Sequence, residues 1–175
     1  MESDEELVEL VNKGDSNAFA TLYYRYRDWV YRLAWRFTGD HQDALDVLQE
    51  TFTYLLKKFP GFHLTASMTT FLYPVVKHIS LNVRRRRSSS HTCEAALKEI
   101  ADPTLPQTSR TELAAALTTL PDEQREVVLM RFVDDMTLEE IATALKVPLN
   151  TAKSRLYNAL RRLRGDPRTK DYFLD

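Results

Sequence analysis

Apolar residues recur every three or four positions along much of the chain, which is the spacing of an amphipathic helix. The longest series spans residues 19–37. Asp15 or Ser16 is a suitable N-cap for it, and Gly39 is a suitable residue to end it. The pattern therefore predicts one long helix that buries a single face.

Three more helices are predicted around this one. Residues 44–59 repeat the apolar spacing behind a candidate cap, Asp40. Residues 72–83 do so again and lead directly into four consecutive arginines at 84–87. A shorter helix is predicted over residues 4–13. Together these segments predict an N-terminal helical bundle.

Pro74 interrupts the third apolar series. A proline inside a helix removes one hydrogen bond and bends the helix, at a cost of ~3 kcal/mol or more unless the strain is relieved. Pro74 therefore either redirects a helix that continues through it or marks a helix that begins later.

A second group of helices follows, built from aliphatic residues. Residues 110–120 form one apolar face, and Pro121 suits the first turn of the next helix, over about 122–133. Thr137 with Glu140 three residues later has the pattern of a capping box.

The stretch after this capping box predicts two short helices joined by a tight turn. Residues 146–149 break the apolar spacing, and Asn150 is a good N-cap for the last helix. Two helices joined so closely must cross steeply, as in a helix-turn-helix.

The predicted fold class is all-α, because no stretch keeps the alternation of a strand. Fourteen of the eighteen aromatic residues lie between residues 19 and 73, so the two halves need separate cores. We predict two small helical domains joined by a linker, the C-terminal one containing the helix-turn-helix. The predicted bounds are 1–88 and 110–165 for the domains, 89–109 for the linker, with a helical turn near 94–100, and 166–175 for a tail.

Charge is unevenly distributed, although the formal net charge is only −1. Residues 61–90 carry five basic residues and no acidic one, and residues 146–164 carry six and none. Each basic segment would attract a polyanion over about 8–10 Å. The alternative for each is a solvated surface.

The outward face of the last predicted helix carries cationic, hydroxyl and amide groups and no carboxylate. Phosphates require such donors, base edges require short polar side chains, and the major groove admits one helix. The pattern favours DNA binding over an ordinary helical hairpin. The residues of this face are Lys153, Ser154, Tyr157, Asn158 and Arg161.

Other functional classes are disfavoured. Cys93 is the single cysteine, which excludes an internal disulfide and fits a reducing cytoplasm. No apolar run approaches the roughly 20 residues of a membrane span, and the acidic start MESDEELVEL is unlike a secretory signal. Among His63, His78, His91 and Cys93, the pair His91 and Cys93 supplies two potential metal ligands, but no second cysteine pair exists to complete a site. No catalytic constellation is recognisable. We expect a cytoplasmic protein that is not an enzyme, requires no cofactor or metal and does not insert into membranes.

The chain resembles bacterial sigma factors of the extracytoplasmic-function (ECF) group. DALDVLQETFTYLLKKFPGF is similar to the family's core-polymerase-binding helix, and TTFLYPVVKHISLNVRRRR to its melting and −10-reading helix. LPDEQREVVLMRFVDDMTLEEIATALKVPLNTAKSRLYNALRRL is similar to its −35-reading domain. The segments occur in the family's order with a linker between them.

The resemblance implies site residues position by position. The polymerase-facing residues are Asp43, Asp46, Gln49 and Glu50. The residues at the −10 element are Lys77, His78, Asn82, Arg84, Arg85, Arg86 and Arg87. The residues at the −35 element are Asn150, Thr151, Lys153, Ser154, Arg155, Tyr157, Asn158, Arg161 and Arg162, of which the arginines are expected mainly to hold phosphates.

The resemblance implies a transcription initiation factor with three kinds of partner. These are core RNA polymerase, promoter DNA in double- and single-stranded form, and an anti-sigma factor. The chain departs from the family pattern at Pro74 and His78, and at Lys146 and Asn150, which replace the usual glycines. Because Lys146 stands where the family has glycine, it is expected to adopt a positive φ. The alternatives are a stand-alone helix-turn-helix regulator and an interaction protein with solvated basic faces.

Overall fold

The computed structural model describes residues 2–87 and 107–169, and all regular structure within those two ranges is helical. The predicted all-α fold is confirmed. The chain divides into two compact units, Met1–His91 and Thr92–Asp175. The turn predicted near 94–100 lies outside the described residues, whereas residues 107–109, predicted as linker, are helical.

The first unit contains four helices. They are α1 (Asp4–Asn12), α2 (Ser16–Thr38), α3 (His41–Leu56) and α4 (Met68–Arg87). Asp15 caps α2 by accepting hydrogen bonds from two backbone N–H groups, and Asp40 caps α3. Gly39 ends α2 with a φ of 67°, a left-handed conformation that glycine adopts without steric cost. These three predicted capping residues are confirmed.

Helix α2 is central in this unit and packs against α1, α3 and α4. Its apolar face is buried, as the spacing predicts, and aromatic rings fill the interface with α3. The rings of Tyr23 and Phe52 lie 4.8 Å apart at 65°, an edge-on arrangement that aromatic pairs prefer.

Two polar links join α1 to the rest of the unit. The Asn12 side chain donates to the Phe62 carbonyl at 2.8 Å and accepts from the Gly61 N–H at 2.7 Å, which anchors the loop between α3 and α4. Asp4 pairs with Arg25 and accepts a hydrogen bond from the Tyr26 hydroxyl. Burial and this bond to Asp4 raise the pKa of Tyr26 above its usual range.

Pro74 lies inside α4, which begins six residues earlier at Met68. The possibility of a helix that begins later is therefore wrong. The helix continues through the proline because its neighbours Leu72, Tyr73 and Val76 are almost completely buried, so tertiary packing offsets the missing hydrogen bond.

The second unit also contains four helices in its described part. They are α5 (Gln107–Thr119), α6 (Asp122–Phe132), α7 (Leu138–Leu145) and α8 (Leu149–Gly165). The capping box of Thr137 and Glu140 is present at the start of α7, as predicted. Helices α6, α7 and α8 pack on one another.

None of the helices described in either unit is long and apolar enough to cross a bilayer.

An aliphatic cluster forms the core between α5, α6 and α8, and Leu113, Val133 and Leu156 pack against it. Beside this core, the Arg125 guanidinium donates hydrogen bonds to the carbonyls of Leu117, Thr118 and Leu120. It thereby satisfies carbonyls at the end of α5 that have no partner within the helix. The buried cluster comprises Ala114, Ala116, Leu117, Leu120, Val128, Leu129, Ala159 and Leu163.

The turn between α7 and α8 differs from the prediction in one respect. Lys146 has the expected positive φ, 55°. Asn150, however, is not the N-cap of α8: the helix begins at Leu149 behind Pro148, with no side-chain cap. Because proline fixes φ near the value that helix entry requires, Pro148 displaces the start by two residues.

Candidate nucleic-acid interface

The outward face of α8 is exposed over three turns. Lys153, Ser154 and Arg161 are exposed, and the Tyr157 ring is 67% exposed, while Asn158 is half-buried. The opposite side, with Ala152, Ala159 and Leu163, is completely buried. Helix α8 is therefore held on its apolar side and presents a row of donors on the other.

The remaining predicted residues of this face lie at its two ends. Asn150 is exposed and Thr151 is half-buried in the first turn, where backbone N–H groups also point outward. Arg162 is exposed near the other end. A helix N-terminus with its positive dipole end and flanking polar groups favours phosphate binding.

Arg155 does not match the prediction of a phosphate contact. Its Nη2 lies 2.7 Å from Glu123 Oε2 on α6, and its side chain is only 20% exposed. The helical period explains this position, because Arg155 lies three residues after the buried Ala152 and four before the buried Ala159. Its guanidinium is therefore directed toward Glu123 on α6 rather than along the outward face of α8.

A second polar surface follows the C-terminal half of α4. His78 is exposed and its Nε2 lies 3.1 Å from the Asn82 side-chain nitrogen one turn later. Lys77 and Asn82 are half-buried. The structure therefore brings His78 and Asn82 together on one face of α4.

The arginine run completes α4. Arg84, Arg85 and Arg86 are exposed, and Arg84 Nη1 lies 3.4 Å from the carbonyl oxygen of Phe37 at the end of α2. Arg87 is the last residue of the helix. Cations at this position are favoured by the negative end of the helix dipole.

The predicted polymerase-facing group on α3 is only partly on the surface. Gln49 and Glu50 are exposed, and Asp46 is half-buried and accepts a hydrogen bond from Gln42. Asp43 is 1% exposed, so its assignment to the outward face is wrong. It lies four residues before the buried Val47 and therefore shares the inward face.

Sequence reasoning missed an apolar groove beside this group. The groove has a volume of about 470 Å³ and runs between α2 and α3. Leu45 is 37% exposed, and Leu56, which belongs to the apolar series predicted over residues 44–59, is 51% exposed. The lining residues are Phe19, Tyr23, Leu45, Leu48, Gln49, Phe52, Thr53 and Leu56.

Of the residues considered as metal ligands, His63 and His78 are exposed, while His91 and Cys93 lie outside the described residues. Within residues 2–87 and 107–169, no three His, Cys, Asp or Glu side chains converge on a common point.

Two family matches cover most of the described chain. The family "Sigma-70 region 2" matches residues 22–90, and "Sigma-70, region 4" matches residues 110–163. The first range includes α3, α4 and most of α2, and the second includes most of α5 together with the helix-turn-helix.

Curated relatives match along nearly the full length. The ECF RNA polymerase sigma-E factor of Escherichia coli K12 is 31% identical, with 90% of each chain covered. The RNA polymerase sigma-H factor of Pseudomonas aeruginosa is also 31% identical at the same coverage. SigW of Bacillus subtilis is 27% identical over 90% of this chain and 92% of its own.

Two solved structures share the fold. CnrH in complex with the cytosolic domain of CnrY has a TM-score of 0.70 at 21% identity, covering 94% of this chain and 96% of its own. RpoE in complex with the anti-sigma factor NepR, from Bartonella quintana, has a TM-score of 0.62 at 18% identity, covering 84% and 94%. With the sequence relatives, these likenesses establish that the chain belongs to the ECF sigma factors of RNA polymerase, which are transcription initiation factors and not enzymes.

Proposed function

We propose that this chain binds core RNA polymerase in the cytoplasm and directs it to promoters whose −10 and −35 elements it reads. The observation that carries the proposal is the exposed face of α8, which offers cations, hydroxyls and an amide with no acidic residue between 146 and 164. The chain performs no chemistry in this role; it supplies binding and orientation.

The α8 face suits a −35 element in duplex form. Lys153 and Asn158 can hydrogen-bond base edges. The Ser154 hydroxyl can add a shorter hydrogen bond, and the Tyr157 ring can add an apolar contact. Arg161 and Arg162 lie further along α8, where they can hold phosphates. Residues that differ in chemistry along one helix are what sequence discrimination requires.

The α4 surface suits a −10 element whose strands have separated. Extruding a base costs a few kcal/mol of stacking, which a polar pocket must return through hydrogen bonds to the base edge. His78 and Asn82 provide donors and acceptors, and Lys77 adds a nearby ammonium group. The exposed arginines that follow carry charge without short polar side chains and therefore suit the backbone of the displaced strand. Capture of that strand would assist opening.

The outward side of α3 is proposed as the polymerase-binding surface. Gln49 lines both the apolar groove and a second groove that also contains Asp46, Glu50 and Tyr54. An apolar centre with polar groups at its edge is the usual composition of a protein–protein interface. Leu45 and Leu56 thus extend the predicted surface beyond its charged residues.

An anti-sigma factor is proposed as a further partner. Two solved structures with the same fold are complexes, one with the cytosolic domain of CnrY and the other with the anti-sigma factor NepR. To test this partner, the fraction of this chain that is not bound to polymerase is purified from its native cells. Each co-purifying protein is then tested for inhibition of transcription by the reconstituted holoenzyme in vitro. Failure of every co-purifying protein to inhibit transcription would count against it.

Transcription in vitro tests the main proposal. Core polymerase with this chain should produce transcripts from a defined subset of a promoter library, and core polymerase alone should not. Tight binding of this chain alone to duplex sites, with no stable complex with polymerase, would instead support a stand-alone regulator.

A matched pair of variants separates the polymerase surface from the fold. Glu50→Ala changes an exposed residue and should weaken polymerase binding without changing the melting temperature. Asp43→Ala removes a buried carboxylate and should cost about 1–3 kcal/mol of folding free energy. Polymerase pull-down and thermal unfolding measure the two effects, and unchanged polymerase binding in Glu50→Ala would contradict the assignment.

A further inference from the structure

Arg155 follows two exposed residues of α8, yet its own side chain is turned away from the DNA-facing side. It is 20% exposed and ion-pairs at 2.7 Å with Glu123, whose side chain is 69% exposed. The Arg155 Nε is buried and has no hydrogen-bond partner. The carboxylate therefore neutralises the guanidinium, which is not directed outward for phosphate binding as Arg161 is.

The ion pair connects α8 to α6 beside the aliphatic core. Glu123 lies in the first turn of α6, where the helix dipole favours a carboxylate. Leu156, the residue after Arg155, packs against the cluster that contains Val128 and Leu129 of α6. A polar contact adjacent to the apolar one resists rotation of α8 about its own axis, because aliphatic contacts alone have little directionality.

Rotation of α8 matters for recognition. Side-chain tips lie roughly 5–6 Å from a helix axis, so a rotation of about 20° moves each tip by about 2 Å. A shift of this size takes a hydrogen-bond partner from about 2.9 Å to beyond bonding distance. Lys153, Ser154 and Tyr157 would then lose their alignment with base edges while phosphates, which any nearby cation attracts, would still be held.

We propose that Arg155 is a positioning residue that, with Glu123, fixes the rotational setting of α8 and so determines discrimination between −35 sequences. It contributes through Glu123 and α6 rather than by holding a phosphate. This inference rests on the proposed −35 binding by α8, and it replaces the phosphate role that the sequence resemblance implies for Arg155.

Two arginine variants of the full chain, each assembled with core polymerase, distinguish the roles. The probes are a −35 duplex enriched by the wild-type holoenzyme from a randomised library and a scrambled duplex of the same length. Arg155→Gln should reduce the ratio of affinities for the two probes about tenfold, a typical size for coupled residues in contact, and leave the salt dependence of binding unchanged. Arg161→Gln should lower the salt slope by about 0.9, the value for one lost phosphate contact, and leave the ratio nearly unchanged.

A third variant, Glu123→Gln, removes the charge of the exposed carboxylate that pairs with Arg155. It should reduce discrimination as Arg155→Gln does, and the double variant should lose no more than either single variant. Arg155→Lys, which keeps a cation near Glu123, should restore part of the ratio. These measurements remain decisive if Arg155→Gln lowers stability.

The outcomes separate the inference from the function on which it rests. A salt slope lowered by about 0.9 in Arg155→Gln, with an unchanged affinity ratio, overturns the positioning role and leaves −35 binding intact. Additive losses in the double variant also overturn it. If the wild-type holoenzyme enriches no −35 sequence at all, the proposed function fails and the inference fails with it.

Discussion

Helices α8 and α4 both present basic residues to solvent, but they distribute them differently. On α8, Lys153 and Arg161 are separated by hydroxyl, phenol and amide groups along the exposed face. On α4, the polar pair of His78 and Asn82 comes first and the arginines follow as one uninterrupted run. A mixed face offers several kinds of group for discriminating among bases, whereas a run of arginines without short polar neighbours is suited mainly to holding a backbone. The comparison predicts that α8 contributes mainly specificity and the end of α4 mainly affinity.

The largest expected effect comes from replacing residues 84–87 with alanine. With four cations removed from a single-strand contact, the salt slope should fall by as much as ~3 and affinity should fall by two or more orders of magnitude at low salt. Fluorescence anisotropy with a single-stranded −10 probe across a salt series measures both quantities. Arg32→Ala, which removes an exposed cation from α2, is the control. An unchanged slope in the fourfold variant would exclude a backbone role for α4.

Lys153→Ala should have the next largest effect, and a qualitatively different one. If Lys153 contacts a base edge, promoter use should weaken by ~1–3 kcal/mol for the preferred −35 element and much less for altered ones. Transcription from matched promoters that differ only in the −35 element measures this. A smaller loss, equal for all sequences, would make Lys153 a phosphate contact and remove the contrast with α4.

Thr169→Val tests how much the hydrogen bond at the C-terminal end of α8 contributes to the stability of the fold that supports this helix. The Thr169 side chain is fully buried and its hydroxyl donates to the Leu163 carbonyl at 2.7 Å. Loss of this bond with little change in shape should cost about 1 kcal/mol of folding free energy. Chemical denaturation measures the cost, and Ser154→Ala on the exposed face is the control that should leave stability unchanged.

The smallest expected effect is a pH dependence of folding stability that arises from Asp166, just after the C-terminal end of α8. Hydrogen bonds from the Arg168 side chain and backbone lower the pKa of Asp166 from 3.8 to about 2. A carboxylate with a lowered pKa contributes stability that is fully present above its unfolded pKa, near pH 4, and is lost as the pH falls toward 2. Arg168→Gln should return the Asp166 pKa toward 3.8 in an NMR titration. An identical Asp166 titration in wild type and variant would show that the Arg168 side chain does not stabilise the Asp166 carboxylate.

Structural features of this chain could be predicted from the sequence where they depend on neighbouring residues in the chain. Asp15, Gly39 and the Thr137–Glu140 capping box act through their own backbone neighbours, so each could be identified from a few residues. The positive φ of Lys146 was expected only because the family usually has glycine at that position. Asn150 was misassigned as the N-cap because Pro148, two residues earlier, also favours helix entry through its fixed φ, and the helix begins directly after the proline.

The site was less predictable because exposure depends on partners far apart in sequence. Asp43 was predicted to face polymerase and Arg155 to hold a phosphate, although each lies three or four residues from a buried position on its own helix. Their helical spacing was the available signal. No comparable signal exists for the groove, because the exposure of Leu45 and Leu56 depends on where α2 passes over α3.

Site-specific photo-crosslinking in the assembled holoenzyme tests the central claim most directly. A photoreactive residue in place of Tyr157, which is 67% exposed on α8, should crosslink to the −35 segment of a promoter, and one in place of His78 on α4 should crosslink to the −10 segment. Crosslinks from both positions to the same DNA segment, or from both to polymerase alone, would contradict the assignment of two separate DNA-reading surfaces.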